Sequence, residues 1–232
     1  TEPSQRPLVL FAGNAQLRER IVAQLGELTQ VMIADNVQPE LDHEDLRSAQ
    51  QQLDAACKIR QGQQTGIMQP TASSRRLMAA YYARLYQQPV IALDVGSASG
   101  LVASACPTSQ SDLAIFTGMG LGHSAANLLQ RTGTQAVQRW LPFYMSEDAL
   151  LNYCHNKTLR PASVPMSLSE LYVEHALLRA GARHMLAHSR GLPARPALVI
   201  AAGTGLTGTG SPAYDLLLMV DSVQPEGITD FK

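Results

Sequence analysis

Short apolar runs alternate with segments of helical periodicity along this sequence, and this alternation limits the possible folds more than any other feature. The runs lie at residues 8–12, 31–34, 90–95 and 197–202. Each is short and ends at glycine, asparagine or aspartate, as buried strands do. Because the segments between the runs have apolar residues at helical spacing, the pattern predicts an α/β fold.

Two of the helical segments allow specific expectations. In the helix that opens at Pro70-Thr71, three large apolar residues recur every four positions and are expected to face the core: Leu77, Tyr81 and Leu85. Farther along, Ser167 and Glu170 have the spacing of a capping box. The helix that they begin has His175 on its apolar stripe, and we expect this side chain to be a core histidine rather than a ligand.

Composition excludes several classes of function. The chain has 232 residues, enough for one large domain or two small ones, and 18 Lys plus Arg balance 19 Asp plus Glu. A net charge of −1 gives no field that would attract nucleic acid, and no apolar run approaches the length of a membrane span. The three cysteines, Cys57, Cys106 and Cys154, form no C-x-x-C pair, which favours a cytoplasmic protein. The first residues resemble a linker, so we expect the chain to be part of a longer protein.

The segment after the third apolar run contains one candidate site. Asp94 lies near the end of the run, and Gly96, Ser97 and Ser99 follow it. Glycine lets backbone amides approach a phosphate, serine hydroxyls donate to it, and Asp94 can hold a magnesium-bound water. The alternative is an ordinary tight hairpin, because glycine and serine are common turn residues.

A second candidate loop, residues 203–211, follows the fourth run. Gly203, Thr204 and Gly205 begin this loop, which precedes a helix near Pro212. Such a loop suits the phosphates or ribose of a nucleotide. It has no G-K-[ST], so it is not a P-loop, and a long flexible turn is the alternative.

The order of motifs along the chain resembles the MutL or GlmL family, the proteins associated with adenosylcobalamin-dependent glutamate mutase and not the mismatch-repair protein. The matching motifs are residues 10–14 (LFAGN), 35–40 (DNVQPE), 67–71 (IMQPT), 93–96 (LDVG), 202–205 (AGTG) and 217–229 (LLMVDSVQPEGIT). The resemblance therefore covers nearly the whole chain.

This resemblance implies an actin-like (ribonuclease H-like) fold of the sugar-kinase and actin ATPase superfamily, with ATP and Mg²⁺ bound between two lobes. Residues 1–89 would form the βαβ and helical part of the first lobe, and residues 90–232 the second lobe. Asp94, Gly96, Ser97 and Ser99 would match the second phosphate loop, with Asp94 holding Mg²⁺ through water. Gly203, Thr204 and Gly205 would match the adenosine loop. The family's first phosphate loop would lie upstream of Thr1, so the fold would be incomplete at its N-terminus.

The sequence also departs from the family pattern. The second phosphate loop of the family ends in T-T-D, whereas Ser99, Gly100 and Leu101 stand at those positions here. Leucine cannot coordinate Mg²⁺ or orient a water, so the chain is expected to be at most a weak ATPase. The resemblance implies an accessory or reactivating protein, with an adenosylcobalamin-dependent mutase or another protein assembly as its partner. The alternative is an actin-like scaffold that assembles proteins without using nucleotide.

Overall fold

The computed structural model describes residues 7–40, 44–61, 71–108, 111–226 and 228–231. The chain divides into two compact units, Thr1–Ser73 and Ser74–Lys232. The assignment of residues 1–89 and 90–232 to two actin-like lobes stays a prediction. Most of the motif at residues 67–71, and Gly227 of the last motif, lie outside the described residues.

The first unit contains the predicted βαβ arrangement. Strand β1 (Leu8–Phe11) is followed by a 3-10 turn, helix α1 (Arg18–Leu25) and strand β2 (Gln30–Ile33). Leu8 pairs with Gln30 and Phe11 with Ile33 in a parallel register. The side chain of Asn14 accepts a hydrogen bond from the N–H of Gln16 (2.9 Å), so Asn14 caps the 3-10 turn that leads into α1. Helix α2 (Arg47–Gln61) follows.

The second unit contains most of the regular structure. Helix α3 (Thr71–Tyr86) crosses the boundary between the units. The remaining elements are β3 (Val90–Val95), β4 (Ser99–Ala105), β5 (Asp112–Thr117), α4 (Ala125–Thr132), α5 (Thr134–Gln138), α6 (Glu147–Leu159), α7 (Leu168–His188), β6 (Leu198–Ala202), α8 (Thr204–Thr207), α9 (Pro212–Val223) and β7 (Asp230–Phe231).

These strands form one mixed sheet in the order β5-β4-β3-β6-β7. Strands β3, β4 and β5 pair antiparallel as consecutive hairpins, whereas β6 is parallel to both β3 and β7. The parallel pairs need long connections, which helices supply. The prediction of an α/β fold is therefore confirmed, and the topology is compatible with an actin-like fold.

Helix α7 lies against this sheet and contributes most of the second unit's helical core. The predicted N-cap is present, since Ser167 Oγ accepts from the Glu170 N–H (3.2 Å). The Glu170 carboxylate accepts from the N–H of Met166, one residue before the cap, where a capping box uses the N–H of the cap residue itself. His175 is buried, and its Nδ1 lies 3.2 Å from the hydroxyl of Tyr214 on α9. The prediction of a core histidine is confirmed.

Helix α3 differs from the sequence expectation. Leu77, Tyr81 and Leu85 are exposed, and the fully buried positions are Ala79 and Ala83. The prediction that the three large residues face the core is wrong. The three large residues and the two alanines each recur every four residues, so periodicity alone indicates two candidate buried faces. Side-chain size favours the face with the large residues. Ala79 and Ala83 have no solvent-exposed surface, and small side chains on this face let the helix backbone pack closely against its neighbours.

Candidate functional site

The two predicted loops meet at the carboxyl ends of neighbouring parallel strands. Strand β3 pairs with β6 so that Asp94 lies opposite Ala202, and one loop leaves the sheet directly after each strand. Gly203 has φ +93° and ψ 137°, a conformation that side chains strongly disfavour. A Cβ at Gly203 would overlap the carbonyl oxygen of Val95 and lie 3.1 Å from Asp94 Oδ1. Asp94 and Gly203 therefore lie close together at this edge of the sheet.

The hairpin turn after β3 is exposed and tight. Gly96 donates its N–H to the carbonyl oxygen of Ser99 (3.0 Å), and Gly96, Ser97, Ala98 and Ser99 are all exposed. Among the backbone hydrogen bonds of the described residues, none uses the N–H groups of Ser97 and Ala98. Amides of a turn that form no backbone hydrogen bond can bind an anion.

The hydroxyl of Ser97 has a structural partner on a third loop, residues 118–122. Ser97 Oγ accepts from the N–H of His123 (3.3 Å), and the Ser97 carbonyl accepts from the N–H of Gly122 (2.8 Å). Cβ atoms at Gly120 and Gly122 would overlap Ser97. Gly120 and Gly122 are therefore needed for the close approach of this loop to the turn. This supporting role was not predicted, although alternating glycines are a signal for it.

Asp94 is not a free carboxylate. Its Oδ2 accepts from Nε of Arg75 on α3 at 2.9 Å, in an ion pair that is mostly shielded from solvent. The sequence analysis did not find Arg75, because nothing in the sequence around it indicates that α3 reaches the end of β3. An arginine in this place competes with a magnesium-bound water for the same carboxylate.

The remaining predicted residues lie at the same edge of the sheet. Gly205 is packed: a Cβ there would lie 2.9 Å from Leu121 Cδ1 and 3.3 Å from Leu178 Cδ1. Thr204 begins the short helix α8. Leu101, which replaces the family's aspartate, is buried in β4 opposite Asp94. No acidic side chain therefore stands at that position to join Asp94.

Metal ligands are scarce in this region. Within the described ranges, no group of three or more His, Cys, Asp and Glu side chains is arranged to hold a metal ion. Any magnesium at Asp94 would therefore take its other ligands from water and from phosphate oxygens, as is usual for Mg²⁺ bound with a nucleotide.

A family model described as MutL protein matches residues 2–197. The chain belongs to the MutL family. This result confirms the resemblance to the family over a range that contains the first four motifs, and it supports an accessory role of the GlmL type. The motifs at residues 202–205 and 217–229 lie beyond the matched range. A search of the curated proteins found no match. Within the part of this MutL-family chain that the structure describes, no helix is both long and apolar enough to cross a membrane.

Proposed function

We propose that this MutL-family chain is an accessory protein of the GlmL type that binds ATP at the joined ends of β3 and β6 without efficient hydrolysis. The observation that most supports this proposal is the close approach of Asp94 and Gly203. In open α/β sheets, ligands bind at the carboxyl ends of strands, and the two predicted nucleotide loops meet at such an edge.

The exposed turn supplies the second argument. The N–H groups of Ser97 and Ala98 take part in no backbone hydrogen bond among the described residues, and the exposed residue Ser99 offers its hydroxyl beside them. These groups would bind phosphate oxygens, with Asp94 holding Mg²⁺ through water. The Mg²⁺ bound with ATP would balance the phosphate charge. The remaining contacts to the phosphates would come from the turn after β3.

Slow or absent hydrolysis follows from the two neighbours of Asp94. Leu101 provides no carboxylate to orient a water, and Arg75 neutralises the one carboxylate present. Phosphoryl transfer depends on placing charges around the reacting phosphate, so losing both groups removes most of the catalysis.

A scaffold without nucleotide is the second candidate function, and the Arg75–Asp94 ion pair favours it. The pair satisfies Asp94 without a ligand. Packing against Val95 and Leu121 likewise accounts for Gly203 and Gly205 without adenosine. In this case the protein would act through its partners alone.

Calorimetric titration with Mg²⁺-ATP separates the two candidates. We expect binding by the wild-type chain, weaker binding by Asp94→Asn, and equal or tighter binding by Arg75→Gln, because that variant frees Asp94. Both variants lose the same ion pair, so their unfolding free energies serve as matched controls. Absence of binding by the wild-type chain and by Arg75→Gln, repeated on a longer form of the protein, would support the scaffold.

A further inference from the structure

The corner between α6 and α7 exposes an unusual amount of apolar surface. Four side chains, which we call the α6–α7 patch, are largely exposed: Leu159 (80%), Val164 (70%), Met166 (86%) and Leu168 (72%). They lie within ten residues of one another in the sequence, at the end of one helix, in the loop and at the start of the next. A cluster of this kind on a protein surface indicates a binding site more often than a structural role.

The loop that presents the patch is fixed at both ends. The ammonium group of Lys157, which is almost fully buried, donates to the carbonyl oxygen of Ser163. At the other end, the N–H of Met166 donates to the Glu170 carboxylate (2.6 Å). Because these contacts hold the backbone, the apolar side chains point outward from a fixed loop. A partner would therefore bind with little loss of loop entropy.

A cavity of about 430 Å³ opens beside the patch, and Leu159, Val164 and Met166 contribute to its wall. Its inner polar groups are already paired. Lys157 Nζ lies 2.5 Å from Glu174 Oε1, and the hydroxyl of Tyr153 donates to the same oxygen at 3.0 Å. Burial and the Glu174 charge raise the pKa of Tyr153, so this hydroxyl stays a donor.

One charge in the cavity wall has no such partner. Arg160 is exposed and lines the cavity, and among the described residues no carboxylate forms an ion pair with it. Two other charged residues line the wall, Lys157, which is paired with Glu174, and Glu170. Glu170 lies in the first turn of α7, where the helix dipole and the N–H of Met166 compensate its charge. The surface is therefore apolar with one available cation.

We infer that the α6–α7 patch is a docking site for an amphipathic helical segment of a partner protein, with apolar side chains against Leu159, Val164 and Met166 and a carboxylate against Arg160. A helix binds a groove through its apolar face, and charge complementarity fixes its orientation. The inference concerns residues 153–170 and does not depend on nucleotide binding at Asp94.

Two synthetic peptides test this inference. Both are 18-residue fluorescent helices with leucine on one face, and they differ only in having glutamate or lysine on the other face. Binding is measured by fluorescence anisotropy against the whole 232-residue chain. We expect the glutamate peptide to bind about tenfold more tightly than the lysine peptide, with a Kd below about 100 μM.

Four variants locate the binding. Arg160→Glu should reverse the preference between the peptides, and Met166→Asp should weaken both by about tenfold. Arg195→Glu and Ile228→Asp change an equally exposed cation and apolar residue away from the patch and should alter binding by less than about twofold. Because all four positions are exposed, unchanged circular dichroism is expected and confirms folding.

Several outcomes overturn the inference. Equal binding of the two peptides, no binding of either, or equal effects of the patch and control variants each contradict it. Sedimentation velocity gives a further result: if the wild-type chain dimerises and Met166→Asp is monomeric, the patch binds a second copy of this chain and not an acidic partner.

Discussion

Replacing Gly203 by alanine tests whether the contact between the two loops is part of the folded protein before any ligand binds. Gly203 has φ +93° and ψ 137°, and Gly133 has nearly the same conformation, φ +81° and ψ 148°. The two sites differ in space: a Cβ at Gly203 would overlap the Val95 carbonyl, whereas a Cβ at Gly133 meets nothing within 4 Å. Gly133→Ala is therefore a matched control for backbone strain.

The expected magnitudes follow from these two contributions. Backbone strain costs about 1–3 kcal/mol at either site. Overpacking against the end of β3 adds about 1–3 kcal/mol at Gly203 only. Because a domain is stabilised by about 5–15 kcal/mol, Gly203→Ala should remain foldable but should unfold at clearly lower denaturant than Gly133→Ala.

Equilibrium urea unfolding, followed by circular dichroism, measures the difference between the two variants. Equal midpoints for Gly203→Ala and Gly133→Ala, with unchanged slopes, would refute the close packing of the loop on β3. The result also affects the nucleotide test. From sequence, valine at Gly203 is expected to abolish ATP binding by blocking adenosine, but the structure predicts that it destabilises the fold first. Asp94→Asn and Arg75→Gln are therefore better probes of binding.

Three further predictions concern helix α3 and the buried residues His175 and Cys154. Leu77→Ser on α3 should change the unfolding free energy by less than about 1 kcal/mol, whereas Ala83→Leu should cost about 1–3 kcal/mol; the reverse order in urea unfolding would contradict the observed face of α3. Burial, and after it the charge of Arg179, lower the pKa of His175. Its contribution to stability is therefore complete above about pH 6.5 and is lost as the pH falls below that value, because the unfolded state takes up the proton first. Between pH 8 and 5, the unfolding free energy of His175→Asn should fall less steeply than that of the wild type, and equal slopes would contradict this. The Cys154 thiol is fully buried, and burial raises its pKa to about 12. It should therefore not react with a thiol reagent until the chain unfolds. Rapid labelling of Cys154 in the native state would contradict this.

The sequence predicted the main strands of the second unit almost to the residue. The run Val90–Val95 is β3, and the fourth run is β6, one residue shorter at its start than predicted. These strands are central in the sheet and buried on both faces, so their sequences are continuously apolar. Ser167 was also predicted as a cap, because a cap is a local interaction between side chain and nearby backbone.

The candidate site was predicted only in part. Asp94 and Gly203 belong to loops that follow two neighbouring strands, and strand order brings them together. Arg75 was missed because it reaches Asp94 across 19 residues of sequence, and no local pattern indicates that contact. The exposed patch at Met166 was missed for a similar reason: an apolar residue in a loop gives no sign of whether it will be buried.

What the sequence determined by itself is therefore the set of elements, their caps, and the membership of the chain in its family, since all of these depend on short patterns of residue type. Only the tertiary structure decided which face of α3 is buried, that Arg75 neutralises Asp94, and that glycines at 120, 122 and 203 are required by close contacts with neighbouring segments. These features depend on distances between segments far apart in the chain. Close packing sets those distances, and each distance depends on all the neighbouring segments together.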